Sequence, residues 1–312
     1  MIELGLGGFM EFAPDFTFQP LPALENLVQR PFPEVASPLG PLAGLVGKWS
    51  GRGFNIIWRP DNTPGQDRFL EINVTSEQLE LTAISGPIPN RGFLQPDINM
   101  FGLTYLQQIS DANVNAGLHI EPGLWVAIPH TSDPNVVPTV ARLASIPHGT
   151  TILAQGTATP SAAAPHIPNT SIKPFAIGHP TPEFDFPEQT LTNQTSFRTS
   201  GAGLTGVTQA MVNNPNSILQ AAIASQHITA TTTLHVTSTN NPVPGGGTAN
   251  TAFLKGGADG PNADAVSVNA TFWLETLQGQ SAPTQLQYAQ TVLLNFNGLS
   301  WPHITIATLH KA

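Results

Sequence analysis

Leu70-Glu71-Ile72-Asn73-Val74-Thr75 alternates apolar with polar side chains. Successive side chains on a β-strand point to opposite faces, so a period of two marks a strand with one face buried. Outward from this stretch the same period recurs. It begins at Gly51, and Leu79, Leu81 and Ala83 repeat it after an expected turn. Further strands are predicted over 98–109, 117–128, 139–146, 151–156, 227–237, 285–296 and 303–310, with an alternating run through Val266, Val268, Ala270, Phe272 and Leu274. About ten strands joined by hairpin-scale connections predict an all-β chain, a closed up-and-down antiparallel barrel whose closure leaves no exposed edge.

The 312 residues read as one barrel domain. An arm rich in Pro and Phe, then a short helix from Pro41 to Val46, occupy 1–46; Pro suits a first helical position. The first barrel strands fill 47–156 and the remaining ones 227–312. Between them, 157–226 is a Pro-rich and helical insertion, since proline removes a ladder donor and is excluded from central strands. Its last part, 216–226, predicts a helix with Asn216 as N-cap and Ile218, Leu219, Ala222 and Ile223 on one face. Three roles stay open for the insertion: a lid, a second lobe, or a plug that fills the barrel.

Charged residues make up 10% of the chain against 40% apolar. No run of about 18 uncharged apolar residues exists to span a bilayer, so no membrane association is expected. The net charge is −9 and the eleven Lys and Arg never cluster, which sets nucleic acid aside as a partner. Glu3 and Glu11 and the lack of a basic start do not resemble a signal peptide, and the expected location is cytoplasmic. The absence of cysteine excludes disulfides, thiolate nucleophiles and Cys-ligated metals. The carboxylates are scattered, and no G-x-S-x-G elbow or Walker-type loop occurs. A closed barrel can hold a small-molecule ligand inside it, and that is the expected partner.

Three local patterns carry a resemblance. Gly47-Lys48-Trp49-Ser50-Gly51-Arg52-Gly53 is a G-x-W-x-G-x-G run opening the first strand, where Trp49 can plug one barrel end. His119-Ile120-Glu121-Pro122-Gly123 follows an H-x-E-x-G pattern, and Pro302-His303-Ile304-Thr305-Ile306-Ala307-Thr308-Leu309-His310 closes the chain. In this order they resemble the nitrobindin-like haem-binding β-barrels, of the wider fatty-acid-binding and lipocalin-like barrel group. The insertion is the main departure from that family.

The resemblance implies haem b as cofactor, with His303 as proximal metal ligand. It adds Trp49, Gly47, Gly51, Gly53 and Glu121 to the cofactor-binding set, and His119 as the residue acting on a bound ligand. The implied activity is binding small nitrogen oxides at a ferric iron, with peroxynitrite isomerised to nitrate. The alternative function is a haem-free, lipocalin-like carrier of a hydrophobic small molecule. The residues themselves leave His303 undecided. It shares a strand face with Thr305, Ala307 and Leu309, while Ile304, Ile306 and His310 share the other, so only one of His303 and His310 can face inward. Ile304 and Ile306 as core would turn His303 outward; apolar residues on both barrel faces would not. His119 reads equally as a cavity residue or a barrel-wall histidine, Arg142 is a candidate partner for Glu121, and His148 reads as a turn residue.

Overall fold

The computed structural model describes residues 37–240 and 243–312. The expected arm over 1–40 therefore lies almost wholly outside the described residues. Ten strands form the barrel: β1 Gly47–Pro60, β2 Arg68–Ala83, β3 Ile98–Asp111, β4 Gly117–Ile128, β5 Thr139–Ile146, β6 Thr150–Ser161, β7 Ile228–Thr237, β8 Asp264–Leu277, β9 Gln285–Phe296 and β10 Leu299–Lys311. Each pairs antiparallel with the next in sequence, and β1 closes the ring on β10, with Trp49 opposite Lys311 and Ile57 opposite His303. The closed up-and-down barrel expected from the alternation is the fold.

One end of the barrel is plugged. A 3-10 helix, Gly40–Leu45, starts with Pro41 in its first turn and drops Leu42 and Leu45 into the end. Trp49 lies on them, its indole N–H donating to the Leu45 carbonyl at 2.7 Å. Leu79, Leu81, Leu103, Trp125, Phe272 and Leu309 complete this inner core. Burying each such side chain contributes roughly 1.5–3 kcal/mol.

A second apolar cluster lies outside the barrel wall. Phe54, Ile56 and Trp58 of β1, Leu70 and Ile72 of β2, Trp273 of β8 and Ile304 and Ile306 of β10 pack against Ile167, Ile172, Val212 and Leu219 of the insertion. The Trp58 indole N–H donates to the Ile172 carbonyl at 2.9 Å. The insertion also finishes an exposed strand edge. β2 pairs with β3 only from Thr75 to Ala83, and beyond that Leu70 exchanges backbone hydrogen bonds with Phe197 and Thr199 (2.9 and 3.0 Å). Arg198 ties the covering loop together by donating to the carbonyls of Glu188, Thr190, Leu191 and Asn193. The insertion is an outer cover of the wall.

Three expectations need correcting. Residues 70–83 contain no turn: β2 is continuous, and the apolar residues change face within it. β6 runs past the expected insertion boundary at 157 to Ser161 and includes Pro160. Its pairing with β5 stops at Gly156, so Pro160 has a strand neighbour only on the β7 side and no ladder bond is lost on the other. The predicted helix is Ser217–Ile223, and the Asn216 side chain, instead of capping it, donates to the Pro168 carbonyl at 2.8 Å. A further helix, Gln209–Asn213, is capped by Thr208.

Candidate functional site

Along the barrel axis, the plugged core gives way to a polar layer and then to a hollow. This cavity has a volume of about 330 Å³ and is open at the barrel end opposite the plug. Ile57, Ile109, Leu118, Ile146, Val268, Val292 and Leu294 supply most of its apolar wall. Arg59 and Glu71, paired at 2.9 Å, stand at the rim with Leu254 of a short helix, Ala252–Lys255, in the β7–β8 connection. No residue of the insertion 157–226 lines it.

His303 faces this cavity, and His310 is exposed on the opposite strand face. Ile304 and Ile306 are nevertheless core residues, because the insertion covers the outer face of β10. Both faces of the strand are buried, so parity alone had no answer. The His303 ring nitrogen Nε2 lies 3.2 Å from Asn55 Oδ1, which also accepts from the Thr305 hydroxyl at 2.9 Å. An amide oxygen only accepts, so Nε2 carries the proton and Nδ1 keeps its lone pair. Asn55 in turn donates to Asn73 at 3.2 Å, and Asn73 to Asp111 at 2.8 Å. Enclosure by the barrel wall, with His119 and His148 adding repulsion, pushes the His303 pKa down to about 3, so the imidazole is neutral at pH 7.

His119 and His148 also line the cavity, with ring centroids 5.4 Å apart. His148 sits in the β5–β6 turn, as its neighbours Pro147 and Gly149 imply, but the turn is at the cavity mouth. His119 Nε2 is 3.2 Å from Glu121 Oε2. Glu121 is fully buried and bonded through its other oxygen to the Arg142 guanidinium and the Tyr105 hydroxyl. Arg142 also donates to Tyr105 at 2.9 Å and to Gln290. Burial alone would raise the Glu121 pKa, but Arg142 outweighs it, with help from His119 and Tyr105, and holds it near 2. The pair stays ionised.

Sequence reasoning missed the second half of the polar layer. Glu77, also buried, accepts from the Tyr288 hydroxyl at 2.5 Å, the Thr75 hydroxyl at 2.8 Å and Gln107 Nε2 at 3.4 Å. Burial lifts its pKa to about 7 against those hydrogen bonds. The available signal was a Glu placed on the same strand face as Leu79 and Leu81.

The G-x-W-x-G-x-G residues do not join the cavity lining. Trp49 and Gly47 belong to the plugged end. Gly51 and Gly53 let β1 approach its neighbours closely: a Cβ at Gly51 would come within 2.1 Å of the Thr308 carbonyl oxygen, and one at Gly53 within 2.5 Å of Glu77 Oε1. Gly53 thus makes the space that Glu77 occupies. Among the described residues no group of three or more His, Asp or Glu is arranged to hold a metal ion, and no helix is long and apolar enough to cross a membrane.

No protein-family model and no curated protein matches the chain. Among solved structures it is similar to Rv2717c from M. tuberculosis, at 14% identity and a TM-score of 0.42, over 89% of this chain and 98% of that one.

Proposed function

We propose that the cavity holds a flat, largely apolar ligand, with haem b the leading candidate and His303 the residue that would ligate it. The observation that carries this reading is a neutral imidazole inside an apolar hollow, with one ring nitrogen held by an amide oxygen and the other left free. Haem brings four nitrogen ligands of its own, so one protein donor suffices and a cluster of ligating side chains is not required. Second-shell partners of the Asn55 kind fix a ligating histidine's tautomer and raise its basicity. At about 330 Å³ the hollow is near the small end of the roughly 300–1,000 Å³ of typical ligand pockets, so a porphyrin would keep one edge in the open mouth.

Bound haem would supply the ferric-iron chemistry towards small nitrogen oxides, peroxynitrite to nitrate, that the resemblance to nitrobindins implies. The chain's own part is separate. His119, held by the Glu121 carboxylate, presents a fixed imidazole to the cavity, and the apolar wall excludes water from the ligand.

Titration of the purified protein with haem, followed by absorption, tests the reading. A protein-shifted Soret band is expected. His303→Ala should weaken binding by more than the roughly 10–100-fold that follows loss of an outer partner, and Asn55→Ala should fall within that range. No shifted band, or a band indifferent to His303→Ala, would sink it. The modest volume favours a second reading, a haem-free carrier of a smaller apolar molecule. Native mass spectrometry of protein purified after haem supplementation separates the two by the mass of what is retained.

A further inference from the structure

Two of the carboxyl groups buried in the barrel interior have opposite charge balance. Glu121 has the Arg142 guanidinium against it; Glu77 has three hydrogen-bond donors and no cation. None of the ion pairs formed among the described residues includes Glu77. Tyr288 and Gln107, which bind it, line the cavity, so Glu77 lies one side chain behind the cavity wall. Two charge pairs cancel nearby, Glu121 with Arg142 in the polar layer and Glu71 with Arg59 at the rim. His119 acts on Glu77 from β4, and His148 and His303 face the same space. Glu77 and Asp111, which accepts from Asn73, Asn113 and Val114, are the buried inward-facing carboxyl groups outside any ion pair among the described residues, and Glu77 is the one bonded directly to cavity-lining side chains. Its repulsion of an anion is strong there, since a low-dielectric wall screens little.

We propose that an anion enters this cavity together with one proton, and that Glu77 holds that proton. No covalent bond to carbon forms or breaks. A proton from solvent adds to the carboxylate, the new O–H donates to the Tyr288 oxygen, and the Tyr288 hydroxyl hydrogen is released from Glu77 towards the cavity. Burial has already brought the carboxyl to the edge of protonation at neutral pH, with a pKa of about 7. A neutral ligand needs no such proton. The proposal rests on the cavity taking a ligand and does not require that ligand to be haem.

Calorimetric titration of the haem-free full chain tests it, with benzoate as the anionic probe and benzyl alcohol as its neutral counterpart. Runs in phosphate and in Tris separate proton uptake from binding heat, because the two buffers differ in ionisation enthalpy. At pH 7 about half a proton should be taken up per benzoate, the fraction set by a pKa of about 7, and none with benzyl alcohol. Above pH 8 benzoate affinity should fall about tenfold per pH unit. Glu77→Gln should bind benzoate with no proton uptake and a flat profile from pH 7 to 9. Uptake that persists in Glu77→Gln would assign the proton to His119, His148 or His303 and overturn the proposal, as would proton-neutral benzoate binding in the wild type. Should Glu77→Gln fail to fold, infrared spectroscopy of a Glu275→Gln variant, which removes the other buried carboxyl with a pKa of about 7, decides: a buried carboxylic-acid band that titrates near pH 7 is expected, and its absence from pH 5 to 7 counts against. If neither probe binds, this proposal fails, while haem titration decides the cavity reading separately.

Discussion

The plugged half and the open half of the barrel bury opposite faces of the same strands. Near the plug, β1, β2 and β10 turn Trp49, Leu79, Leu81 and Leu309 inward on the 3-10 helix. Towards the mouth the same strands turn Phe54, Ile56, Trp58, Leu70, Ile72, Ile304 and Ile306 outward beneath the insertion. Their inward positions there, Asn55, Glu71, His303 and Thr305, line the cavity. A barrel half without an internal core must bury its apolar surface elsewhere or lose the stabilisation of roughly 25 cal/mol per Å². The insertion supplies that surface, which frees the interior for polar and ligating groups. The hollow and the insertion belong to one solution.

The two halves meet at the Glu121–Arg142 pair, and breaking it should have the largest effect. Arg142→Met leaves a buried carboxylate without its cation, which costs about 3–5 kcal/mol in comparable pairs. Urea unfolding at pH 7 measures it. Adding Glu121→Leu to that variant should recover much of the loss, because an apolar pair of similar size avoids burying charge. A loss below about 1 kcal/mol for the single variant would mean the junction is hydrated and the halves are not separated there.

A matched pair of truncations sharpens the contrast between the halves. Leu309→Ala and Ile304→Ala, five residues apart on β10, should each cost about 2–5 kcal/mol, the range for buried aliphatic deletions. Their local consequences should differ. Ile304→Ala removes a contact with the cover and should speed proteolytic cleavage within 162–226. Leu309→Ala should leave that rate unchanged at equal overall stability. Equal cleavage in both would show that the cover is held as one unit with the inner core.

The barrel was legible because a period of two survives wherever either face is buried. The change of face was not. In β2 the apolar set moves from even to odd positions between Val74 and Leu79, and a local reading takes such a slip for a turn. What causes it is the insertion, which is more than 90 residues away in sequence: Ile167 and Ile172 touch Leu70 and Ile72 only after folding. The same long-range contact hid the orientation of His303, since Ile304 and Ile306 are explained only by their cover. His119, Glu121 and Arg142 were each visible as candidates, and the structure joins all three. Glu77 was invisible as a site residue. Its significance depends on Tyr288, which is 211 residues away, and on the space left by Gly53, neither of which a strand pattern can pair.

The smallest effect should come from the outer face, where the cover seals in a carboxyl group of its own. Glu275 is fully buried, with one oxygen accepting from Gln285 at 2.6 Å and the other, Oε1, without a partner among the described residues. Gln285 is in turn doubly bonded to Gln226 at the end of the insertion. Burial raises the Glu275 pKa from 4.5 to about 7. A raised carboxyl pKa means the folded state binds the proton more tightly than the unfolded chain. Stability from this group is therefore present below pH 4.5 and is lost progressively as pH rises to about 7. Glu275→Gln removes the ionisation, so it should match the wild type near pH 4 and exceed it by about 1–3 kcal/mol at pH 8, the range for relieving one unsatisfied buried polar group. Unfolding curves at both pH values measure the difference. A gain that is equal at pH 4 and pH 8 would refute proton linkage at this contact, and a loss at pH 8 would mean that the ionised carboxylate is matched by a donor on the cover.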